Sequence, residues 1–245
     1  MKIALTGGIA CGKSTLAKFL RELGIRLLDA DDVVHELEAP KGLAVEAIVA
    51  RFGQSVRAAD GGIDRRALAE IVFSDPSART VLESILFPYV RSRLLHFVSR
   101  QPAPLSPHPS TPNPQLSTFT PQLSTFNPQP SPLNFQPTTF NLQPSPISPQ
   151  FRISVIPLLF ESHWEGDYDT IIAIASPETV QIERMMKTRG YSRKQAEDRL
   201  AAQMPVAEKV ARADFVVIND STPDKLKIEA GRLYAWLKER AKNEQ

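Results

Sequence analysis

The sequence predicts an α/β fold: a parallel sheet of five strands with helices packed on both faces, a three-layer arrangement. Three observations predict it. Five short apolar runs alternate with amphipathic or charged stretches, the pattern of strands joined by helical crossovers. Between the first run and the first helical stretch lies Gly7-Gly8-Ile9-Ala10-Cys11-Gly12-Lys13-Ser14, which satisfies G-x-x-x-x-G-K-S/T in the strand-to-helix context that this motif requires. The second run, Arg26 to Asp29, leads into Asp31 and Asp32, so carboxylates collect at the carboxyl end of a strand, the edge where open α/β sheets bind ligands.

The elements follow in order. Lys2 to Thr6 is a short apolar strand, Lys13 to Leu23 an amphipathic helix, and Arg26 to Asp29 the second strand. A helical subdomain is expected over residues 31–100, in pieces at Asp32 to Leu37, Leu43 to Phe52, Arg65 to Phe73 and Ser77 to about Ser99. Asp75-Pro76 is the start signal of the last piece. Residues 101–150 change character: most of the 21 prolines fall here among Ser, Thr, Gln and Asn, with no Lys, Arg, Asp or Glu, and Pro114 to Phe119 nearly repeats at Pro121 to Phe126. A disordered, Pro-rich insertion is expected, since its prolines cannot donate ladder hydrogen bonds and it has no apolar periodicity. A passive loop is favoured over a docking segment, because basic residues that flank PxxP ligands are absent within it. Three further strands are expected at Ile153 to Leu159, Thr170 to Ala175 and Phe215 to Asn219, with a basic helical block at 177–213 that suits a lid over phosphates.

Bulk properties exclude several classes. The chain has 245 residues, 42% of them apolar, enough to bury a core. A formal charge of +2 makes no case for nucleic acid or a membrane surface, so phosphate-binding charge must be local. Cys11 is the sole cysteine, which excludes an intramolecular disulfide and fits a reducing, cytoplasmic setting. The N-terminus reads as a buried strand rather than a secretory signal, and no apolar run approaches the roughly 20 residues of a membrane helix. A monomer is expected, with the phenylalanines of the charge-free tract as a route to weak self-association.

The glycine-rich octapeptide is a P-loop. Its glycines let successive backbone N–H groups surround a phosphate, and the following helix adds the positive end of its dipole. Gly8, Ile9, Ala10, Cys11, Gly12, Lys13, Ser14 and Thr15 form the expected nucleotide-binding set, with Lys13 on the β- and γ-phosphates and the Ser14 hydroxyl on Mg2+. Cys11 fills a variable position of the loop and is read as a small filler, alkylatable and shielded by ATP. Among Asp29, Asp31 and Asp32, one carboxylate could accept a proton from an attacking hydroxyl and another could hold a magnesium water. Asp32 is the one assigned to capping the next helix. A P-loop alone leaves kinases, GTPases, motor ATPases and nucleotide sensors open.

Further segments narrow the choice. TGGIACGKST, LGIRLLDADDVV, DGGIDRRALAEIVF, VIPLLFE, Gln181-Ile-Glu-Arg184, AAQM and ADFVVIND occur in the order and approximate spacing of the dephospho-coenzyme A kinase family, which the chain resembles throughout except for 101–150 and the extreme C-terminus. The resemblance implies a P-loop NTPase core of five parallel strands, a helical substrate-binding subdomain and a lid. It implies ATP- and Mg2+-dependent phosphorylation of the ribose 3′-hydroxyl of dephospho-CoA, with Asp31 as general base and Lys13 and Arg189 as catalytic cations. Asp29, Arg65, Arg66, Glu161 and Arg184 are the implied substrate-binding residues, Arg65 and Arg66 gripping phosphates and Glu161 closing the third strand. Arg184, Lys187, Arg189 and Arg193 recur at helical spacing in the lid. Two positions depart from the family's usual pattern: Phe87-Pro88 stands for His-Pro, and Thr188-Arg189-Gly190 for Arg-Asp-Gly. The rivals are another P-loop nucleoside or nucleotide kinase and a catalytically impaired homologue. A GTPase-like switch is disfavoured because Val217-Ile-Asn219-Asp220 supplies no N-K-x-D segment.

Overall fold

In a computed structural model, residues 1–99 and 151–243 are described, and the expected insertion at 101–150 lies outside them. Five strands form one sheet: β1 (Ile3–Gly7), β2 (Arg26–Asp29), β3 (Arg152–Val155), β4 (Thr170–Ala175) and β5 (Phe215–Ile218), in the spatial order β2-β3-β1-β4-β5. All four pairings are parallel, with Ile3 opposite Ile153 on one side and Thr170 on the other. β1 is central: the chain leaves it for β2 and β3 on one side and then crosses from β3 to β4 and β5 on the other. The loop after β1 therefore opens at the switch point of the sheet, the position where such folds bind ligands.

Every residue of β1 is buried, which is why it reads as a continuous apolar run. Its side chains nonetheless alternate between two cores. Ile3 and Leu5 pack with Leu16 and Leu20 of α1 (Lys13–Glu22) and with Leu226, Leu233 and Leu237 of α9 (Pro223–Asn243). Ala4 faces the other side, toward Val33 and Leu37 of α2 (Ala30–Glu38), Ile48 of α3 (Val45–Phe52), Leu68 of α4 (Arg65–Ser74) and Leu94 of α5 (Pro76–Ser99). Each fully buried leucine is worth about 2 kcal/mol of apolar transfer. The basic block consists of α6 (Glu178–Arg189), α7 (Arg193–Ala201) and α8 (Val206–Ala211).

The elements differ from expectation at three places. β3 stops at Val155 and not at Leu159: Ile156 makes the last ladder bond, to Leu5 O at 2.8 Å, and Pro157 has no N–H to continue it. The residues beyond are apolar because Ile156, Leu159 and Phe160 fill the core under α2 and α5. Helix α9 was absent from the expected elements, although Leu226, Ala230, Leu233 and Leu237 lie on one face and are buried. Finally, α2 begins one residue after Asp29, whose side chain accepts the Asp31 N–H at 3.0 Å; the cap is Asp29 and not Asp32. Asp75 caps α5 as expected, accepting the Ser77 N–H at 2.8 Å.

Candidate active site

The P-loop is built to present N–H groups. α1 has no capping side chain and no acidic residue in its first turn, so the orphan donors of its N-terminus remain available to an anion. The loop carbonyls are tied away: Asn219 Nδ2 donates to Cys11 O at 2.8 Å, and Arg184 Nη1 donates to Ala10 O at 3.2 Å. Gly12 has φ +92°, and a Cβ there would run into Asn219 Nδ2. At Gly8 a Cβ would lie 2.6 Å from Val206 Cγ2 and 2.9 Å from Gln181 Oε1. Ala10, with φ 56°, holds a left-handed conformation that costs a non-glycine residue about 1 kcal/mol, strain of the kind that accumulates in binding loops.

Lys13 Nζ donates to Gly7 O and Gly8 O, each at 2.8 Å. Burial pushes its ammonium pKa down and nearby Lys209 pushes the same way, while Asp31 and Asp29 pull it back. A buried cation held only by carbonyls is what an arriving polyphosphate would stabilise. These residues fit a nucleotide: uncapped donors, a lysine beside them, and the Ser14 hydroxyl exposed in the first turn of α1.

Cys11 fills the interior of the loop. Its side chain is fully buried, and that burial pushes the thiol pKa up despite the counteracting charge of Lys13.

Across the cleft, Asp31 is exposed on the first turn of α2. It lines a cavity of about 290 Å³ with Ala30, Val34, Phe87, Pro157 and Gln203, and a second of about 420 Å³ with His35, Glu38, Arg65 and Phe73. Burial pushes the Asp29 carboxyl up, and the neighbouring Asp31 and Asp32 charges add to the shift. Asp64 caps α4 by accepting from Arg66 N at 3.0 Å and Ala67 N at 3.1 Å, which sets both arginines in the first turn. Arg65 pairs with the nearly buried Glu38 at 2.8 Å and faces the larger cavity, whereas Arg66 is 91% exposed and sits 3.7 Å from Glu70 on the surface. Phe87 packs edge-on against Trp164, with centroids 5.2 Å apart, so the ring that replaces a polar group has an apolar partner in the cavity wall.

Two expected positions move. Glu161 lies beyond the end of β3, in the turn that follows Pro157; its Oε1 pairs with Lys209 Nζ at 2.7 Å and accepts from Met204 N at 3.1 Å. Arg184 does not project with the other basic residues of α6. Its guanidinium is held under the P-loop by Ser176 Oγ at 3.0 Å and Asn219 Oδ1 at 3.2 Å, in addition to Ala10 O. Arg189 is exposed at the last residue of α6, and Arg193 pairs with Glu197 at 3.0 Å. Sequence reasoning assigned no role to Ser176, Gln203 or Lys209 and weighed Asn219 only against guanine specificity. The AAQM and ADFVVIND segments held the signal for two of them.

Similarity to known proteins agrees with this geometry. The sequence profile of the dephospho-CoA kinases matches residues 1–106 and 130–225. The chain belongs to the dephospho-CoA kinase family. Among relatives, it is 37% identical over 236 residues to the dephospho-CoA kinase of Anaeromyxobacter dehalogenans, covering 96% of this chain and 92% of that one. Identity to the dephospho-CoA kinase of Geobacter sulfurreducens is 32%, with 95% and 96% covered. Among solved structures, TT1252 from Thermus thermophilus superposes with a TM-score of 0.64 at 29% identity, covering 97% of both chains. The dephospho-CoA kinase from Campylobacter jejuni shares the fold, with a TM-score of 0.61 at 22% identity over 98% of this chain and 100% of that one. As a member of this family the chain is a phosphotransferase with a P-loop kinase fold. Among the described residues, no helix is long and apolar enough to cross a membrane.

Proposed function

We propose that this protein phosphorylates the ribose 3′-hydroxyl of dephospho-CoA from ATP, with Asp31 as the general base and the P-loop as the phosphate cradle. The observation that carries the reading is the juxtaposition of an uncapped P-loop helix with a cavity whose wall includes Asp31 and, one cavity further, Arg65. Family membership supplies the identity of the substrate.

In this reading the loop N–H groups and Lys13 hold the β- and γ-phosphates. Lys13 leaves the Gly7 and Gly8 carbonyls to do so. Asp31 accepts the hydroxyl proton as the oxygen attacks, the bond from the γ-phosphorus to the bridging oxygen breaks, and ADP departs. Arg65 grips a substrate phosphate, its guanidinium oriented by Glu38. Ser14, with a carboxylate at the end of β2, would hold magnesium, which neutralises charge on the phosphate oxygens when bound. The α6–α8 block acts as a lid that excludes water, with Arg189 free to swing over the transferring group. A reduced lone cysteine supports a cytoplasmic setting.

The test is formation of CoA from ATP, magnesium and dephospho-CoA. ADP released at the same rate without dephospho-CoA, or no CoA at all, would sink the reading. Asp31→Asn is expected to lower kcat by about 10²- to 10⁴-fold while ATP affinity is kept. Full turnover in that variant would remove Asp31 from the role of base.

A further inference from the structure

Gln203 stands where the nucleotide loop and the acceptor cavity meet. Its Oε1 accepts the Ile9 N–H of the P-loop at 3.1 Å. The same side chain lines the cavity shared with Asp31 and Phe87, and also the groove bounded by Gly8, Gln181 and Val206. A side-chain amide carries donors as well as an acceptor. With the oxygen engaged on Ile9, the Gln203 NH2 has no protein partner among the described residues and opens onto the cleft.

The backbone that carries this amide is anchored. Next to it, Met204 N donates to Glu161 Oε1 at 3.1 Å, and Glu161 pairs with the fully buried Lys209 at 2.7 Å. Lys209 Nζ also donates to Pro157 O at 3.0 Å, the carbonyl that accepts the Thr6 hydroxyl of β1 at 3.3 Å. The chain of contacts thus runs from the floor of the sheet, through the pair of buried Lys209 with half-buried Glu161, to the residue beside Gln203. A fully buried lysine is costly and rare. Here it fixes an amide at the edge of the phosphate cradle.

We propose that Gln203 is a catalytic residue whose NH2 donates a hydrogen bond to an oxygen of the γ-phosphoryl group during transfer, with Glu161 and Lys209 as its positioning residues. This rests on the phosphotransfer reading above. Gln203 gives no proton and forms no covalent bond: the proton of the attacking hydroxyl goes to Asp31, the new P–O bond forms to the ribose oxygen, and the bridging oxygen leaves with ADP. A preorganised donor aimed at charge in transit acts mainly on the transition state.

Two substitutions separate this from a bracing role. Gln203→Glu keeps an oxygen for the Ile9 N–H and loses the NH2; Gln203→Ala loses both. Full-length wild type and both variants are compared for CoA formation, with melting midpoints measured alongside. Both variants are expected to lose kcat by about 10²-fold, with the KM for ATP changed by less than about threefold. Wild-type kcat in folded Gln203→Glu would show that only the oxygen matters. A raised KM for ATP at unchanged kcat in either variant would show that the residue acts in ground-state binding. Either result overturns the proposal. If the wild type itself forms no CoA, the underlying reading fails and this proposal falls with it.

Discussion

The carboxylate of Asp29 caps α2 by accepting the Asp31 N–H at 3.0 Å, while burial and the charges of Asp31 and Asp32 hold its pKa above the usual carboxylate value. The folded protein therefore binds the Asp29 proton more tightly than the unfolded chain does. Stability from this group falls as pH rises from the unfolded pKa to the folded one, and it stays lower above that window. Asp29→Asn keeps an oxygen for the cap and removes the charge. Its melting midpoint is expected to exceed that of the wild type at neutral pH, and the gap to close as pH is lowered through the carboxylate range; a gap independent of pH would place the effect elsewhere. The acidic cluster was legible in the sequence as a feature of the sheet edge, because its position after an apolar run fixes it there. Which carboxylate caps was not legible: the choice between Asp29 and Asp32 depends on where α2 begins, and boundaries shift by a residue or two with tertiary context. The setting of Arg184 was hidden for a related reason, since helical spacing placed it with Lys187 and Arg189 but could not show that its guanidinium turns back under Ala10.

The turn after β3 shows how an element's end can be masked by packing. Ile156 to Leu159 read as more strand because they are apolar, yet Ile156 and Leu159 serve the helical side of the core, and the chain leaves the ladder at Pro157. That departure carries Glu161 to Lys209 of α8. Removing one partner of such a pair strands the other's charge in a dry site. Glu161→Ala is expected to cost about 3 kcal/mol of unfolding free energy in urea titration, and the double change Glu161→Leu with Lys209→Met to recover most of it. Additive losses in the double variant would mean that the pair contributes nothing as a pair. No sequence signal pointed to Lys209 as buried, because a lysine on a short helix is ordinarily solvated. The missing α9, by contrast, had its signal in plain view in the Leu226 to Leu237 stripe.

The P-loop's place after β1 was legible from motif and context, but the strand order was not, since apolar runs carry no record of which run pairs with which. Among the described residues, Phe97 of α5 and Arg152 of β3 touch: Arg152 Nη1 donates to Phe97 O at 3.3 Å and its guanidinium lies over the Phe97 ring. Replacing 101–150 with about six Gly and Ser residues is expected to leave CoA formation intact and to add about 2 kcal/mol of stability, three halvings of loop length. An inactive or unfolded product would give the segment a structural role. The buried P-loop thiol has a consequence for the reaction as a whole. Dephospho-CoA and CoA each end in a free thiol, and in oxidised pools that thiol travels as a disulfide. The lone cysteine is buried within its own loop, and that burial pushes its thiol pKa up, which disfavours the thiolate that exchange requires. Burial and a raised pKa thus guard an enzyme that meets a sulfhydryl carrier at every turnover against capture as a mixed disulfide.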